Sequence, residues 1–238
     1  MMEYEPGKIP VSEIFYSIDG EGSRTGLPVI FIRLFGCNLN CTYCDTRYAC
    51  REDVADDLGI IGYDNMEFSR ILYNIERFEP CRRITLTGGE PLIHRNANEL
   101  IAFLRGHGYE VNIETNGSIA LRDVVLYQNE RSGADYFFTM DWKSFSSGEA
   151  GRMLPDNFDV LRSSDVVKFV VGNQADLEQM KDIVLKIQNV PAQIYVSPVW
   201  GKIEPREIVE YILKEGLVDV RVQVQLHKII WDPNMRGV

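Results

Sequence analysis

The 238-residue chain has no stretch approaching ~18 apolar residues, so nothing in it reads as a membrane span. Its opening, MMEYEPGKIPVSEIF, lacks the basic region and apolar run of a secretory leader, so a cytoplasmic location is expected. No low-complexity linker divides the chain, and nothing repeats beyond an alternation of strands and helices. Positive charge is scarce: 25 Lys and Arg face 35 Asp and Glu, a net charge of −10. Such a surface repels a phosphate backbone and argues against bulk nucleic-acid binding. It leaves room for a small anionic substrate held by a few buried arginines. An ordinary globular composition, 45% apolar and 25% charged, argues against disorder. Cysteines number only five: Cys37, Cys41, Cys44, Cys50 and Cys81. Kept reduced in a cytosol, they favour metal binding or chemistry over a disulfide framework.

What is present is regular. VIFIRLF (29–35) reads as a buried strand running into the first cysteines. ITLTGGEP (84–91), YEVNIETNG (109–117), DYFFTMDWK (135–143), VVKFVVG (166–172), AQIYVSPVW (192–200) and VRVQVQLH (220–227) repeat the pattern. Helices are predicted over 65–75, 95–105, 175–188 and 205–214. Strands alternating with helices argue βαβ units and a parallel sheet, here one α/β domain over residues 1–238. The acidic, Gly-containing segment 50–63 reads as an insertion or lid.

Nearly every predicted strand ends in polar groups: Cys37, Gly88-Gly89-Glu90, Glu114-Thr115-Asn116, Asp141 with Lys143, and Gln225 with His227. In a parallel sheet these ends share one rim, where α/β proteins place their sites. Turn chemistry explains any one cluster, but less well five or six together.

GCNLNCTYCDT (36–46) spaces three cysteines as C-x3-C-x2-C. Thiolates bind zinc, copper(I) and iron–sulfur centres. A structural zinc needs a fourth ligand, available from Cys50, Cys81, His94, His107 or His227. A short three-cysteine loop without a second knuckle better suits a four-iron cluster with one open iron. Redox thiols are the remaining reading, and Cys50 and Cys81 read as buried or incidental.

The cysteine loop and TGGEP (87–91) resemble the two motifs of the radical S-adenosylmethionine superfamily. EIFYSIDGEG (13–22), FIRLFGCNLNCTYCDT (31–46), ETNG, DWKSFSSGE (141–149), VKFVV (167–171) and VQLHKIIW (224–231) resemble, in order, segments of its 7-carboxy-7-deazaguanine synthase family. The resemblance spans essentially the whole chain. It implies a shortened, partly open (β/α) barrel with parallel strands. Cys37, Cys41 and Cys44 would hold a [4Fe–4S] cluster whose open iron chelates S-adenosylmethionine, the source of a 5′-deoxyadenosyl radical. It also implies ring contraction of 6-carboxy-5,6,7,8-tetrahydropterin to 7-carboxy-7-deazaguanine with loss of ammonia, in queuosine and deazapurine biosynthesis. Magnesium, a homodimer and an electron donor such as flavodoxin or ferredoxin belong to the same implication. A glycyl-radical activase sharing the cysteines and GGEP is the nearest alternative, and a non-catalytic iron–sulfur or zinc module the more distant one.

Site residues follow residue by residue. Arg33 sits in an otherwise apolar strand, and a buried guanidinium needs an anion. Glu21, another core carboxylate or the substrate carboxylate would serve. The resemblance makes Arg33, Glu21 and His227 substrate-binding, with Gln225 on the same strand face as His227 and Lys228 a weaker candidate. It gives Thr46 a magnesium contact, with Asp45 in support. For S-adenosylmethionine the candidates are Tyr43, Gly89, Glu90, Thr115, Asn116, Asp141, Lys143 and Ser144. In SIDGEG the chain has Asp19 where the family often has glutamine, which adds negative charge near Glu21.

Overall fold

The computed structural model describes residues 5–51, 62–233 and 235–238. Among these, nine strands form one sheet: β1 (Lys8–Ile18), β2 (Pro28–Leu34), β3 (Asp64–Glu67), β4 (Arg83–Gly88), β5 (Glu110–Thr115), β6 (Tyr136–Lys143), β7 (Val166–Val171), β8 (Gln193–Pro198) and β9 (Val220–Val222). Their order is β3-β1-β2-β4-β5-β6-β7-β8-β9. From β2 to β9 every neighbouring pair is parallel, while β1 runs antiparallel to both β2 and β3. The sheet is not closed among the described residues, as expected of a partly open barrel.

The helices are α1 (Phe68–Glu76), α2 (Ala97–Gly106), α3 (Leu121–Asn129), α4 (Gln174–Lys186), α5 (Pro205–Glu215) and the short α6 (Leu226–Ile230). α1 buries Phe68, Ile71 and Ile75, one stripe at helical spacing. α5 opens with a capping box, Glu204 and Glu207, and stops at the left-handed Gly216.

Period-two alternation sorts each central strand into two faces. Ile84 and Leu86, Val111 and Ile113, Phe138 and Met140, Val167 and Phe169, and Ile194 and Val196 join the main apolar core with the helices. Many of their alternates are polar, Thr85 and Thr87, Asn112 and Glu114, Thr139 and Asp141, Lys168 and Ser197, while Phe137, Val166, Val170 and Tyr195 are buried at other alternate positions. Register aligns these across strands, Arg33 beside Thr87, Thr85 beside Asn112, Glu114 beside Thr139 and Asp141 beside Lys168. The second face of the sheet thus carries a buried polar band alongside apolar side chains.

Several expectations are corrected here. The helix predicted over 65–75 begins as β3, because Asp64–Glu67 pairs with the edge of β1 before α1 starts. β1 itself was not anticipated: KIPVSEIFYSI alternates poorly and carries a proline. α3 was also missed. The last strand ends at Val222, so Gln225 and His227 do not share a strand face; Gln225 precedes α6 and His227 lies within it. Of the segment 50–63 read as a lid, residues 52–61 lie outside the described residues.

Candidate active site

The C-terminal ends of β2, β4, β5 and β6 deliver the predicted residues to one rim. Beyond β2, Gly36 and Cys37 are pinned by backbone bonds, Gly36 N–H to Ala49 C=O (2.8 Å) and Cys37 N–H to Cys50 C=O (3.2 Å). Cys37 Sγ accepts from Leu39 N–H (3.4 Å) and lies 3.8 Å from Asn116 Nδ2. Thr42 and Asn40 tie the loop to the segment after β6, through Ser147 C=O and the Glu149 carboxylate. Tyr43 Oη donates to Val170 C=O at 3.4 Å. Cys44 Sγ lies 3.7 Å from Thr46 Oγ1 and 3.9 Å from Cys50 Sγ. A hydrogen bond from Cys50 moves the Cys37 thiol down to about 7 and the Cys44 thiol down to about 6, while burial pushes Cys41 up to about 11. Cys50 thus packs against a thiol of the cysteine loop, whereas the buried Cys81 thiol meets the carbonyls of Pro28 and Arg83.

The glycines of TGGEP permit a close approach. A Cβ on Gly88 would strike Leu34 backbone, and one on Gly89 would lie 2.5 Å from Gly36 C and 2.7 Å from Cys37 Cβ. The strand end and the cysteine loop thus pack backbone to backbone. Glu90 is fully buried, accepting from Leu92 N–H, Thr115 Oγ1 and Asn116 N–H. Burial pushes its carboxyl up to about 7. The Glu90 and Thr115 side chains bond to each other and brace β4 against β5.

Asp141, Lys143 and Ser144 are not a solvated turn. Lys143 Nζ donates to Asp141 Oδ2 at 2.7 Å. Burial opposes charge on Lys143, but the Asp141 carboxylate outweighs it and holds the ammonium above its ordinary value. Asp141 Oδ1 and Ser144 Oγ are buried without a hydrogen-bond partner among the described residues. Unpaired buried oxygens are costly, and a ligand's polar atoms would satisfy them.

Deeper in, Glu21 accepts from Lys168 Nζ and Ser197 Oγ, both at 3.0 Å. Burial pushes the Glu21 carboxyl up, but the Lys168 ammonium outweighs it, and the net direction is below the usual range. Arg33 does not pair with Glu21. Its Nε donates to Glu13 Oε1 at 2.6 Å, and Tyr48 Oη donates to the same oxygen. The other guanidinium nitrogens have no acceptor among the described residues. His227 packs over Gly20, where a Cβ would collide with its Nδ1. Burial moves His227 below its ordinary value, against the pull of Glu21, Asp45 and Glu114, so its ring is neutral near pH 7. Lys228 Nζ donates to Asp45 Oδ2 at 2.7 Å and fixes α6 to the cysteine loop.

Three residues were missed: Lys168, Ser197 and Glu114. Each left a signal, a polar residue at the interior-facing position of an otherwise apolar strand. Glu114 acts electrostatically on Asp19, Arg33, Lys168 and His227, yet makes no hydrogen bond to any described residue.

Asp19, 1% exposed, accepts from Thr85 Oγ1 at 2.9 Å. Burial, then the Glu114 charge, push its carboxyl from 3.8 to about 7. A raised carboxyl contributes stability below its unfolded value, and that stability is lost as pH climbs toward 7. Asp19→Asn is therefore expected to remove a falling slope of stability between about pH 4 and pH 7, on the order of 3–4 kcal/mol in total. Urea unfolding across that window checks it; a variant whose slope matches the parent contradicts the assignment.

No three His, Cys, Asp or Glu side chains among the described residues converge tightly enough for a single metal ion. A cubane binds each thiolate through a different iron, so its ligands need not converge on one point. The thiols of the short loop, the glycine cradle against Cys37, and the unpartnered Asp141 and Ser144 oxygens fit a cluster with a polar ligand beside it.

Residues 31–137 match the family model of the Radical SAM superfamily. A 7-carboxy-7-deazaguanine synthase of Clostridium acetobutylicum is 42% identical over 230 residues, 96% of this chain and 98% of the relative. One from Methanospirillum hungatei is 38% identical, over 94% of this chain and 86% of the relative. The crystal structure of QueE from Escherichia coli superposes with a TM-score of 0.71 at 25% identity, covering 92% of this chain and 95% of that one. Streptococcus suis SuiB bound to S-adenosylmethionine shares the fold at 14% identity, with a TM-score of 0.53, over 80% of this chain and 48% of that one. Family membership implies an iron–sulfur cluster and S-adenosylmethionine. The chain belongs to the 7-carboxy-7-deazaguanine synthase family of the radical S-adenosylmethionine superfamily.

Proposed function

We propose that the chain converts 6-carboxy-5,6,7,8-tetrahydropterin to 7-carboxy-7-deazaguanine, releasing ammonia, as one radical S-adenosylmethionine unit over residues 1–238. The observation that carries this reading is the convergence of Arg33, His227, Glu21 and Glu114 on one polar interior beside the three-cysteine loop. That arrangement suits a small bicyclic substrate bearing a carboxylate. A glycyl-radical activase would need an exposed face for a partner loop instead.

In this reading Cys37, Cys41 and Cys44 hold the cluster. Lys143 grips the methionine carboxylate, Asp141 and Ser144 offer their unpartnered oxygens, and Gly89 and Asn116 line the methionine end with Tyr43 nearby. Bound there, S-adenosylmethionine supplies the one-electron chemistry that opens and closes the rearrangement. The protein supplies orientation and electrostatics. Arg33 uses its unpaired nitrogens as a fork for the substrate carboxylate. Neutral His227 offers one donor and one acceptor beside it. The role first expected of Glu21, reading the guanidine-like edge of the ring, passes to Glu114. Both Glu21 oxygens are engaged by Lys168 and Ser197, whereas the Glu114 carboxylate has no hydrogen-bond partner among the described residues. Thr46 lends its hydroxyl to magnesium and Asp45 supports it, a hard-oxygen environment suited to that ion. Gln225, buried before α6, accepts through its backbone carbonyl from Lys228 N–H (3.0 Å) in the turn that carries His227. The homodimer, magnesium and a flavodoxin- or ferredoxin-type donor rest on family membership.

Anaerobic turnover of the iron-reconstituted protein with reductant, S-adenosylmethionine and 6-carboxytetrahydropterin tests the whole. Formation of 7-carboxy-7-deazaguanine with little net loss of S-adenosylmethionine is expected. Release of 5′-deoxyadenosine without that product rejects the pterin. Arg33→Met is expected to lower kcat/KM by roughly 100-fold, the cost of leaving a buried carboxylate without its fork. Iron content is expected to stay at the parent level, and unchanged kcat/KM would remove Arg33 from the substrate site.

A further inference from the structure

Cys50 lies outside the C-x3-C-x2-C set, yet its Sγ stands 3.9 Å from Cys44 Sγ. Its backbone is held on both sides: Cys50 N–H donates to Arg47 C=O (3.0 Å), and Cys50 C=O accepts from Cys37 N–H (3.2 Å). The intervening residues form a compact turn, Arg47–Ala49. The Cys50 thiol donates only weakly, to Thr46 C=O at 3.4 Å. Among the described residues Cys44 Sγ faces the Thr46 hydroxyl and Cys50; Cys37 Sγ also feels the Cys50 thiol, but is engaged by Leu39 N–H and approached by the Asn116 amide. Closing Cys44 onto Cys50 requires an approach of about 2 Å, since a disulfide bond is about 2.0 Å long.

We propose that Cys44 and Cys50 form a reversible disulfide when the cluster is absent, shielding a cluster ligand from irreversible oxidation. The oxidant is a peroxide. Hydrogen peroxide converts one thiol to a sulfenic acid, releasing one water. The sulfur of the other thiol displaces the hydroxyl, which leaves as a second water with the thiol proton. Two thiols lose two electrons and two protons, and peroxide gains them. Without a neighbour, a sulfenic acid proceeds to sulfinic acid, which ordinary thiols do not reverse. A dithiol reductant reopens the disulfide by exchange. An iron-bound Cys44 has no free thiolate to offer, so the pair closes only in the cluster-free protein.

The protective role rests on reading Cys44 as a cluster ligand, but the bond itself does not. Trypsin cuts after Arg33, Arg47 and Arg51, placing Cys44 in peptide 34–47 and Cys50 in peptide 48–51. Iron-free, reduced protein is treated with one equivalent of hydrogen peroxide, alkylated, digested and sequenced by mass spectrometry. The expected product is the two peptides joined through Cys44 and Cys50, separated by dithiothreitol, after which the protein takes up iron as before. Recovery of Cys50 alkylated, or joined to Cys37 or Cys41, overturns the proposal. Treated instead with at least two equivalents of peroxide, one for the sulfenic and one for the sulfinic step, Cys50→Ser is expected to carry sulfinic acid at Cys44 and to regain iron several-fold less well than the parent treated alike. Equal recovery overturns the protective role. If Cys50→Ser holds no iron before oxidation, the peptide map of the parent decides. If Cys44→Ala still loads a full cluster, the ligand reading fails while the peptide map stands.

Discussion

Gly89→Ala is expected to lower turnover by at least about 100-fold, the effect of displacing reacting groups by about 1 Å. The argument is steric. The new Cβ would fall 2.5 Å from Gly36 C and 2.7 Å from Cys37 Cβ, where real Cβ atoms essentially never come within 3.0 Å. The obstacle is backbone, so no side chain can swing aside. Either the strand end retreats or the cysteine loop does, and both break the bonds from Gly89 N–H to Leu34 C=O (3.2 Å) and from Glu90 N–H to Gly36 C=O (2.8 Å). Because the clash is confined to the rim, the sheet is expected to remain folded. Iron content, the visible absorption of the cluster and S-adenosylmethionine binding should all fall while far-ultraviolet circular dichroism is retained. A variant with full iron and full turnover would refute the close packing of the two motifs.

Lys168→Met is expected to cost about 3–5 kcal/mol of stability, because removing one member of a buried ion pair strands its partner. Lys168 is 7% exposed in the run VVKFVV, and its Nζ lies 3.0 Å from Glu21 and 3.9 Å from Asp141. Burial alone would lower the Lys168 ammonium, but Asp141 and Glu21 raise it well above its ordinary value. The pH dependence follows by sign. With Lys168 present, Glu21 titrates below the usual carboxylate range, so its contribution is present above about pH 4.3 and lost as pH falls. Without the ammonium, Glu21 titrates higher, so the deficit is largest near neutral pH and shrinks in acid as Glu21 takes a proton. Adding Glu21→Gln should recover part of the loss, since a neutral amide tolerates burial better than an unpaired carboxylate. Urea unfolding at several pH values decides. A deficit independent of pH would mean that Lys168 contributes packing rather than charge.

The chemistry-bearing segments were legible because their spacing is local. Cys37, Cys41 and Cys44 lie within one loop, and a glycine pair at a strand end announces close approach wherever the strand sits. The helical runs at 95–105, 175–188 and 205–214 were likewise close to α2, α4 and α5, since each has a periodic apolar face. Antiparallel β1 and β3 were not legible, because β1 lacks clean alternation and the edge strand β3 is short and only partly buried.

The sequence by itself determined the cysteine loop, the glycine cradle and the polar strand ends, and so the class of chemistry. Only the tertiary structure decided the pairings. Arg33 meets Glu13, twenty residues away, because the antiparallel register of β1 and β2 sets them side by side. Glu21 meets Lys168 across 147 residues because the curl of the sheet brings the loop after β1 over β7. His227 reaches the site from α6, where Leu226 N–H bonds to Gly20 C=O, rather than from the end of a strand. A charge in an apolar strand states in sequence that it needs a counter-charge. Which one it finds depends on strand order and register, and those are settled when the faces of the sheet are buried.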